Sequence, residues 1–547
     1  MNFNSELNNV LLKIKNIVKD TDRKEIIREV VNNREAIASE TGCLATWTAP
    51  ESTGRSPKDT YIVKRPSVEK NIDWDSPNNL PIAPDVFEKL WNDAVKVLST
   101  KNKIYETNRV VGADSKYALP VRTITDKAII SLFTMNMFKS VPKDINESIF
   151  ADKGFTLLVI PDDKINTAEY PTGLRKLSDG SFSNLAIALD FENRVGLVYG
   201  SFYCGSVKKL IFTVMNYYLP LEGILPLHCS ANEDPKGDIA LFLGLSGTGK
   251  TTISVDPGRA LLGDDEHGWS ENGVANFENG CYAKLINLNP KKEPGIYNAV
   301  FHKADYLDHG AIVENAMMYP NGKFDLNDER LTPNSRASFP LSFLNNIKES
   351  SKGTHPKTIV FLTADANGVL PPISKLSINQ AMLWFLMGYT SKLAGTETGV
   401  VEPVSTFSRF FGQPFMPCLP NYYSDMLGGK MKQFGTDVYL VNTGWSGGPY
   451  GVGKRIDIDL TRAMVNAALN GKLKDTDYYE DKLFHLNVPK TCPGVPSEIL
   501  NPQNTWKDKD AYLKRAQKLA SEFSANYDKS YGDKKIEESV RCQCPGK

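Results

Sequence analysis

The sequence predicts an α/β protein with mixed sheets, and three observations carry that prediction. Short apolar runs recur along the chain and stop at turn or polar residues: 156–160 before Pro161-Asp162, 194–199 at Gly200, 239–243 at Gly244, 358–362 before Asp365 and 438–441 before Asn442. Runs of that length, ended that way, fit strands with functional loops at their ends. Helical patterns alternate with them, at 84–98 and after Ser377-Ile-Asn-Gln380, where Ser and Gln three apart form a capping box ahead of AMLWFLM. Asn272-Gly273 and Asn279-Gly280 mark tight turns between short runs, which adds antiparallel pairing to the picture. The polar stretch 345–357 reads as a surface loop, and the tail from Tyr531 onward, with little to bury, as a segment that frays.

Composition narrows the function classes. A chain of 547 residues has length for two to four domains and a sizeable core. Lys plus Arg and Asp plus Glu number 64 each, so no net field favours DNA, RNA or an anionic membrane. Small anions remain open, because a local cluster of Arg and Lys can hold one inside a neutral protein. Lys13 and Lys15 interrupt the N-terminal apolar residues, which leaves no signal-like segment. No apolar run approaches the roughly 18 residues of a membrane span, and the terminal CPGK is neither a prenylation box nor a peroxisomal address. Eight scattered cysteines without a CxxC pair predict no disulfide framework and a reduced, cytoplasmic setting.

The sharpest local signal is Gly244-Leu245-Ser246-Gly247-Thr248-Gly249-Lys250-Thr251, directly after the apolar run 239–243. It fits the phosphate-loop pattern: glycines let backbone N–H groups curl around phosphate oxygens, Lys250 reaches the β/γ oxygens and the Thr251 hydroxyl ligates the nucleotide's Mg2+. Thr252 follows in the same helix start. A second motif, Gly263-Asp264-Asp265-Glu266-His267, resembles the metal-side acid of such enzymes. Yet Asp264 lies only fourteen positions after Lys250, and Pro257-Gly258 stops the intervening helix within about two turns. That spacing is unlike the usual GTPase or ATPase wiring, where a long helix and further βα units intervene.

With these blocks in hand, the chain resembles the ATP-type phosphoenolpyruvate carboxykinases. The matching segments are 244–252 (GLSGTGKTT), 262–269 (LGDDEHGW), 277–284 (FENGCYAK) and 363–372 (TADANGVLPP). To them add 53–59 (TGRSPKD), 227–232 (LHCSAN), 392–396 (KLAGT) and 441–445 (VNTGW), in family order from about residue 40 to about residue 505. GTP-dependent relatives carry a Cys-containing phosphate loop; Ser246 and Thr248 here imply ATP. The resemblance implies an N-terminal α/β domain over 1–223 and a C-terminal mononucleotide-binding domain over 224–547, with the active site in the interdomain cleft. It implies conversion of oxaloacetate and ATP to phosphoenolpyruvate, ADP and CO2, in the direction of gluconeogenesis, and leaves a homo-oligomer open.

The site residues follow by the same resemblance. An Mn2+ ion joining the enolate oxygen to the γ-phosphate is expected on Lys209, His228 and Asp265, the lysine as a neutral amine. Without their flanks, Lys208-Lys209 would read as a solvated basic pair and His228 as a buried structural histidine. Arg55 matches the arginine that grips the substrate carboxylate or departing CO2, Tyr203 the aromatic beside it, and Arg336 the arginine that bridges substrate and γ-phosphate. Asp264 is expected to support the metals from behind. Glu293 is expected at the ribose, with Lys284, Arg455, Ile456 and Thr461 around adenine and sugar; His228 also borders the nucleotide.

This chain departs from the family at Cys204, usually Gly, which suggests an oxidation-sensitive thiol, and at Ser206, which replaces a common acid. Residues 446–452 (SGGPYGV) are longer than in many bacterial members. Residues 388–399 correspond to a mobile loop expected to close over bound ligands. Two other readings compete: a carrier-protein kinase with a similarly short loop-to-acid gap, which would need no TGRSPKD block, and a nucleotide sensor that has lost its chemistry. Lys209, His228, Asp265 and Arg336 are all present, against the second.

Overall fold

In the computed structural model, residues 2–170, 172–245, 247–392 and 404–547 are described, apart from the side chains of Thr251 and Lys392. The predicted strands form at Phe155–Ile160, Val195–Tyr199, Ile239–Gly244, Pro356–Thr363 and Asp437–Asn442. The chain divides into two compact units, Met1–Tyr218 with Asn276–Ser350, and Leu219–Ala275 with Ser351–Lys547. Residues 276–350, which the sequence reading kept with the second domain, thus belong to the first unit.

The first unit holds an eight-stranded mixed sheet in the order Ile17–Lys19, Ile104–Val111, Leu119–Thr125, Phe155–Ile160, Val195–Tyr199, Ala186–Asp190, Thr60–Val63 and Leu80–Ile82. The helix Pro84–Ser99 forms where predicted, with Pro at its first turn. Its Phe87, Leu90, Trp91, Ala94 and Leu98, spaced three and four apart, share a core with Leu158 and Leu197 of that sheet. A five-stranded sheet follows the order Gly280–Lys284, Arg336–Pro340, Ile312–Glu314, Leu44–Thr46 and Ile37–Ala38. The helix Ala128–Met137 contacts strands of both sheets and is buried along its whole length, which is why its sequence is apolar all round.

In the second unit, Ile239–Gly244, Pro356–Thr363 and Asp437–Asn442 run parallel at the centre of an eleven-stranded sheet. Buried on both faces, the first of them needs an unbroken apolar run, IALFLG. Leu225–Glu233 pairs antiparallel with Ile239–Gly244, and also with Ala260–Gly263 and Glu266–Ser270. The Asn279-Gly280 turn does not close a hairpin: Gly280–Lys284 leaves for the five-stranded sheet, antiparallel to Arg336–Pro340. Ser377 and Gln380 form both arms of the expected capping box on the helix Ile378–Met387.

Two expectations are corrected. The tail is not frayed, because Val540 and Cys544 are fully buried and Lys547 Nζ pairs with Asp528 at 2.6 Å. The stretch 345–357 is not all loop, because Lys352–Gly353 pairs with Gly273–Asn276 and a central strand begins at Pro356. None of the eight cysteines is joined in a disulfide among the described residues. Among the described residues no helix is long and apolar enough to cross a membrane.

Candidate active site

The phosphate loop follows its strand as the motif requires, and its glycines separate into two kinds. Gly247 and Gly249 take φ of +87° and +88°, the left-handed region that L side chains rarely adopt. Gly244 is instead a matter of space: a Cβ there would lie 2.6 Å from Thr248 Oγ1 and 2.9 Å from Leu362 Cβ. Carbonyls of the loop are engaged by donors. Thr248 Oγ1 donates to Leu245 O at 2.8 Å, Thr443 Oγ1 to Thr248 O at 2.9 Å, and Arg455 Nη2 to Gly247 O at 3.0 Å. Arg455, expected around adenine and sugar, also donates through Nε to Thr443 O at 3.1 Å and lies over the Trp445 ring, so in this structure it clamps the phosphate loop. The helix after the loop, Lys250–Ser254, is a single short turn, shorter than expected. Ser246 lies outside the described residues, as do 393–399 of the expected mobile loop. Its described start, Tyr389–Lys392, pairs antiparallel with Val404–Phe407.

Sheet register brings two of the expected metal ligands, His228 and Asp265, together with Glu266. His228 and Glu266 are direct partners across the antiparallel pair, which leaves Asp265 one position before the strand. His228 Nε2 lies 2.9 Å from Asp265 Oδ1 and 4.0 Å from Glu266 Oε1, and Lys250 Nζ lies 3.3 Å from the same Asp265 oxygen. One ligand atom from each of His228, Asp265 and Glu266 falls within 4.8 Å of the others. The carbonyl of Phe411 can only accept, so at 2.6 Å it fixes the proton on His228 Nδ1 and leaves Nε2 to face the carboxylate. An imidazole nitrogen with two carboxylates suits a divalent Mn2+ or Mg2+ ion, so these residues fit the expected group. Glu266, fully buried, was not singled out from the sequence. Asp264 accepts a bond from Ser230 Oγ at 2.6 Å through its backbone carbonyl.

A second cluster forms in the first unit around Asn334. Its Nδ2 donates to Thr53 O at 3.0 Å and to the Tyr203 hydroxyl at 3.3 Å, while its Oδ1 accepts from Arg336 Nε at 3.0 Å. One amide thereby joins the exposed Arg55 loop, the buried Tyr203 and Arg336. Arg336 and Lys284 are register partners, and loss of hydration followed by the Arg336 charge lowers the Lys284 pKa. Two cations opposite each other are offset on one side by Glu314, the other register partner of Arg336. Lys209 is partly buried with Nζ 5.2 Å from the Phe212 ring. Lys208 is no solvated partner to it: 2% exposed, it pairs with the buried Glu278 at 2.8 Å.

The remaining expected residues make contacts of their own. Glu293 precedes the helix Pro294–Phe301, and burial raises its pKa. Thr461 is buried with its hydroxyl donating to Asp457 O at 3.1 Å, and Ile456 is held by its N–H to Gly444 O at 2.8 Å. Leu245 and Thr252 are partly buried. Cys204 is fully buried, and desolvation with the nearby Glu314 carboxylate raises its pKa well above the ordinary value. It is therefore not the oxidation-sensitive thiolate expected.

Known proteins resemble this chain along nearly its whole length. Residues 15–498 match the family model described as phosphoenolpyruvate carboxykinase. The chain is 46% identical over 534 residues to the phosphoenolpyruvate carboxykinase (ATP) of Caldanaerobacter subterraneus subsp. tengcongensis, covering 97% of each chain. It is 47% identical over 506 residues to the protein of that name from Geobacillus thermodenitrificans, covering 92% of each. With the one from Staphylococcus aureus, identity is 45% over 510 residues, covering 93% of this chain and 92% of the other.

Proposed function

The chain belongs to the phosphoenolpyruvate carboxykinase (ATP) family, and on that premise we propose how its residues share the conversion of oxaloacetate and ATP into phosphoenolpyruvate, ADP and CO2. The observation that carries the reading is the convergence on Asp265, where the phosphate-loop lysine meets the His228 imidazole. The C–C bond to the departing carboxylate breaks and its electron pair forms an enolate; the enolate oxygen then attacks the γ-phosphorus, and ADP carries away the bonding pair. Held by His228 and Asp265, a divalent cation would supply positive charge near the developing enolate oxygen; we assign Mn2+ to this role and Mg2+ to the nucleotide.

His228 and Asp265 offer that cation a neutral nitrogen and an anionic oxygen, with the imidazole turned by Phe411 O. Lys209 takes a ligand's role in this reading, which its amine can fill only when neutral. Lys250 neutralises phosphate oxygens as the chain around Gly247 and Gly249 wraps them. Arg55 and Tyr203 orient the substrate carboxylate, and Arg336 offsets charge on the transferring group. The setting proposed is the reducing cytoplasm, with the reaction running toward gluconeogenesis.

Supplying oxaloacetate, ATP, Mg2+ and Mn2+ while following phosphoenolpyruvate and CO2 together tests the reading. Both products should appear in equal amounts, and Lys250→Ala should abolish them while circular dichroism stays unchanged. ATP turnover without phosphoenolpyruvate would point instead to a kinase of another substrate.

A further inference from the structure

Glu314 closes the strand Ile312–Glu314 and is 1% exposed, although nothing in the reaction just described uses it. Its Oε1 accepts the N–H of Cys204 at 3.1 Å, the first residue of the helix Cys204–Leu221. Its Oε2 accepts the Tyr282 hydroxyl at 2.6 Å. In the sheet it is the register partner of Arg336. Tyr282 in turn lies 6.1 Å from the Tyr203 ring, centroid to centroid, and 5.8 Å from the Arg336 guanidinium carbon.

One carboxylate therefore links the start of the helix that bears Lys209, directly after Tyr203, to the strand that bears Arg336. Burying a carboxylate is costly unless both oxygens are satisfied. Here both neighbours are donors, and an acceptor-only side chain answers both at once. Glutamine has the same shape, but its NH2 would face one of those donors.

We propose that Glu314 is a positioning residue for the reaction: by joining the first turn of the helix Cys204–Leu221 to the Tyr282 hydroxyl, it sets Tyr203 and Lys209 relative to Arg336. The inference rests on the roles proposed above for those three residues. The roles proposed above give Glu314 no contact with substrate or metal, so its effect is expected in turnover rather than in nucleotide affinity.

The test compares wild type, Glu314→Gln, Tyr282→Phe and the double variant. Measured quantities are kcat and KM for oxaloacetate, the stoichiometry of ADP binding by calorimetry, and Tm. Glu314→Gln should lower kcat/KM for oxaloacetate by about ten- to a hundredfold, as a displacement near 1 Å does, while ADP still binds one per chain. Tyr282→Phe keeps the ring and loses only the hydroxyl, so it reads the same bridge even if Glu314→Gln folds poorly. It should cost severalfold alone and much less in the Glu314→Gln background. Wild-type kcat/KM in both single variants would overturn the inference, as would a loss that merely follows falling ADP stoichiometry. Wild-type protein that forms no phosphoenolpyruvate would overturn the functional reading and this inference with it.

Discussion

Gly205→Ala should nearly silence the enzyme while leaving it folded. Gly205 is the second residue of the helix Cys204–Leu221. A Cβ there would lie 2.6 Å from Tyr203 Cζ and 2.8 Å from its hydroxyl oxygen, with Cε1 nearer still. Ordinary carbon contacts begin near 3.5 Å, so the ring must retreat by roughly 1 Å. It has little room, being 4% exposed and held at its hydroxyl by Asn334 Nδ2. Two effects on stability oppose each other. Alanine is favoured over glycine in a helix by about 1 kcal/mol, whereas overpacking costs about 1–3 kcal/mol. The net destabilisation is therefore at most about 2 kcal/mol. With the substrate-orienting role proposed for Tyr203, a 1 Å misplacement costs on the order of a hundredfold in rate, about 2.7 kcal/mol at the transition state. Catalysis should thus suffer more than folding. Steady-state phosphoenolpyruvate formation against oxaloacetate, with Tm and ADP binding as controls, measures both. A Gly205→Ala enzyme with kcat/KM within twofold of wild type would refute the argument.

Gly412→Ala acts on the proposed metal site in the same way: φ of −155° suits any residue, but the new Cβ would lie 3.0 Å from His228 Cβ and 3.4 Å from Nδ1. Crowding the imidazole against its Phe411 bond should raise the Mn2+ concentration for half-maximal activity about tenfold; an unchanged Mn2+ titration would contradict this. His309 is fully buried, and burial first, then the His302 charge, lowers its pKa to about 4. Because the folded value lies below the ordinary one near 6.5, the unfolded chain binds the proton first as pH falls. Stability is whole above about pH 6.5 and declines toward pH 4, by about 2 kcal/mol between pH 7.5 and 5. His309→Gln should remove that share of the acid loss in denaturant titrations, and a variant as acid-sensitive as wild type would show that other groups dominate.

What the sequence disclosed and what it withheld divide along the range of the interactions. Ile239–Gly244 and the 358–362 run of Pro356–Thr363 were legible because a strand buried on both faces must be largely apolar, and the Ser377 capping box because both its arms are local. The partner of Gly280–Lys284 was not, since Asn279-Gly280 marks a turn but register is decided by residues 336–340. Lys208 looked solvated because its counter-ion, Glu278, lies far along the chain. Among the site residues, the phosphate loop and its lysine carry their own pattern, whereas Lys209, His228 and Arg336 were reached only through resemblance. Phe411 contributes a carbonyl, which no side-chain pattern reveals. Glu314 did leave a trace, a lone acid after Ala311-Ile-Val, where an apolar strand offers no reason for a charge.

The blocks that carry no reacting group explain themselves once the three parallel strands are considered together. Ligands in such sheets bind beyond the carboxyl ends of the strands, and here those ends are Gly244, Thr363 and Asn442. Asp365 receives N–H bonds from Asn367, Val369 and Leu370, and the Tyr389 hydroxyl, at 2.8 to 3.0 Å, which freezes the turn after the second strand. Asn442 Oδ1 accepts from Asp365 N at 3.0 Å and from Gly444 N at 2.8 Å, joining that turn to the one after the third strand. Thr443 then passes the constraint to the phosphate loop through Thr248 O, and Arg455 repeats it at Gly247 O. Asp365 and Asn442 thus need no contact with substrate to be indispensable. A loop whose carbonyls are already engaged offers an incoming phosphate donors rather than competing acceptors, and it pays no reorganisation when charge moves across the transferring group.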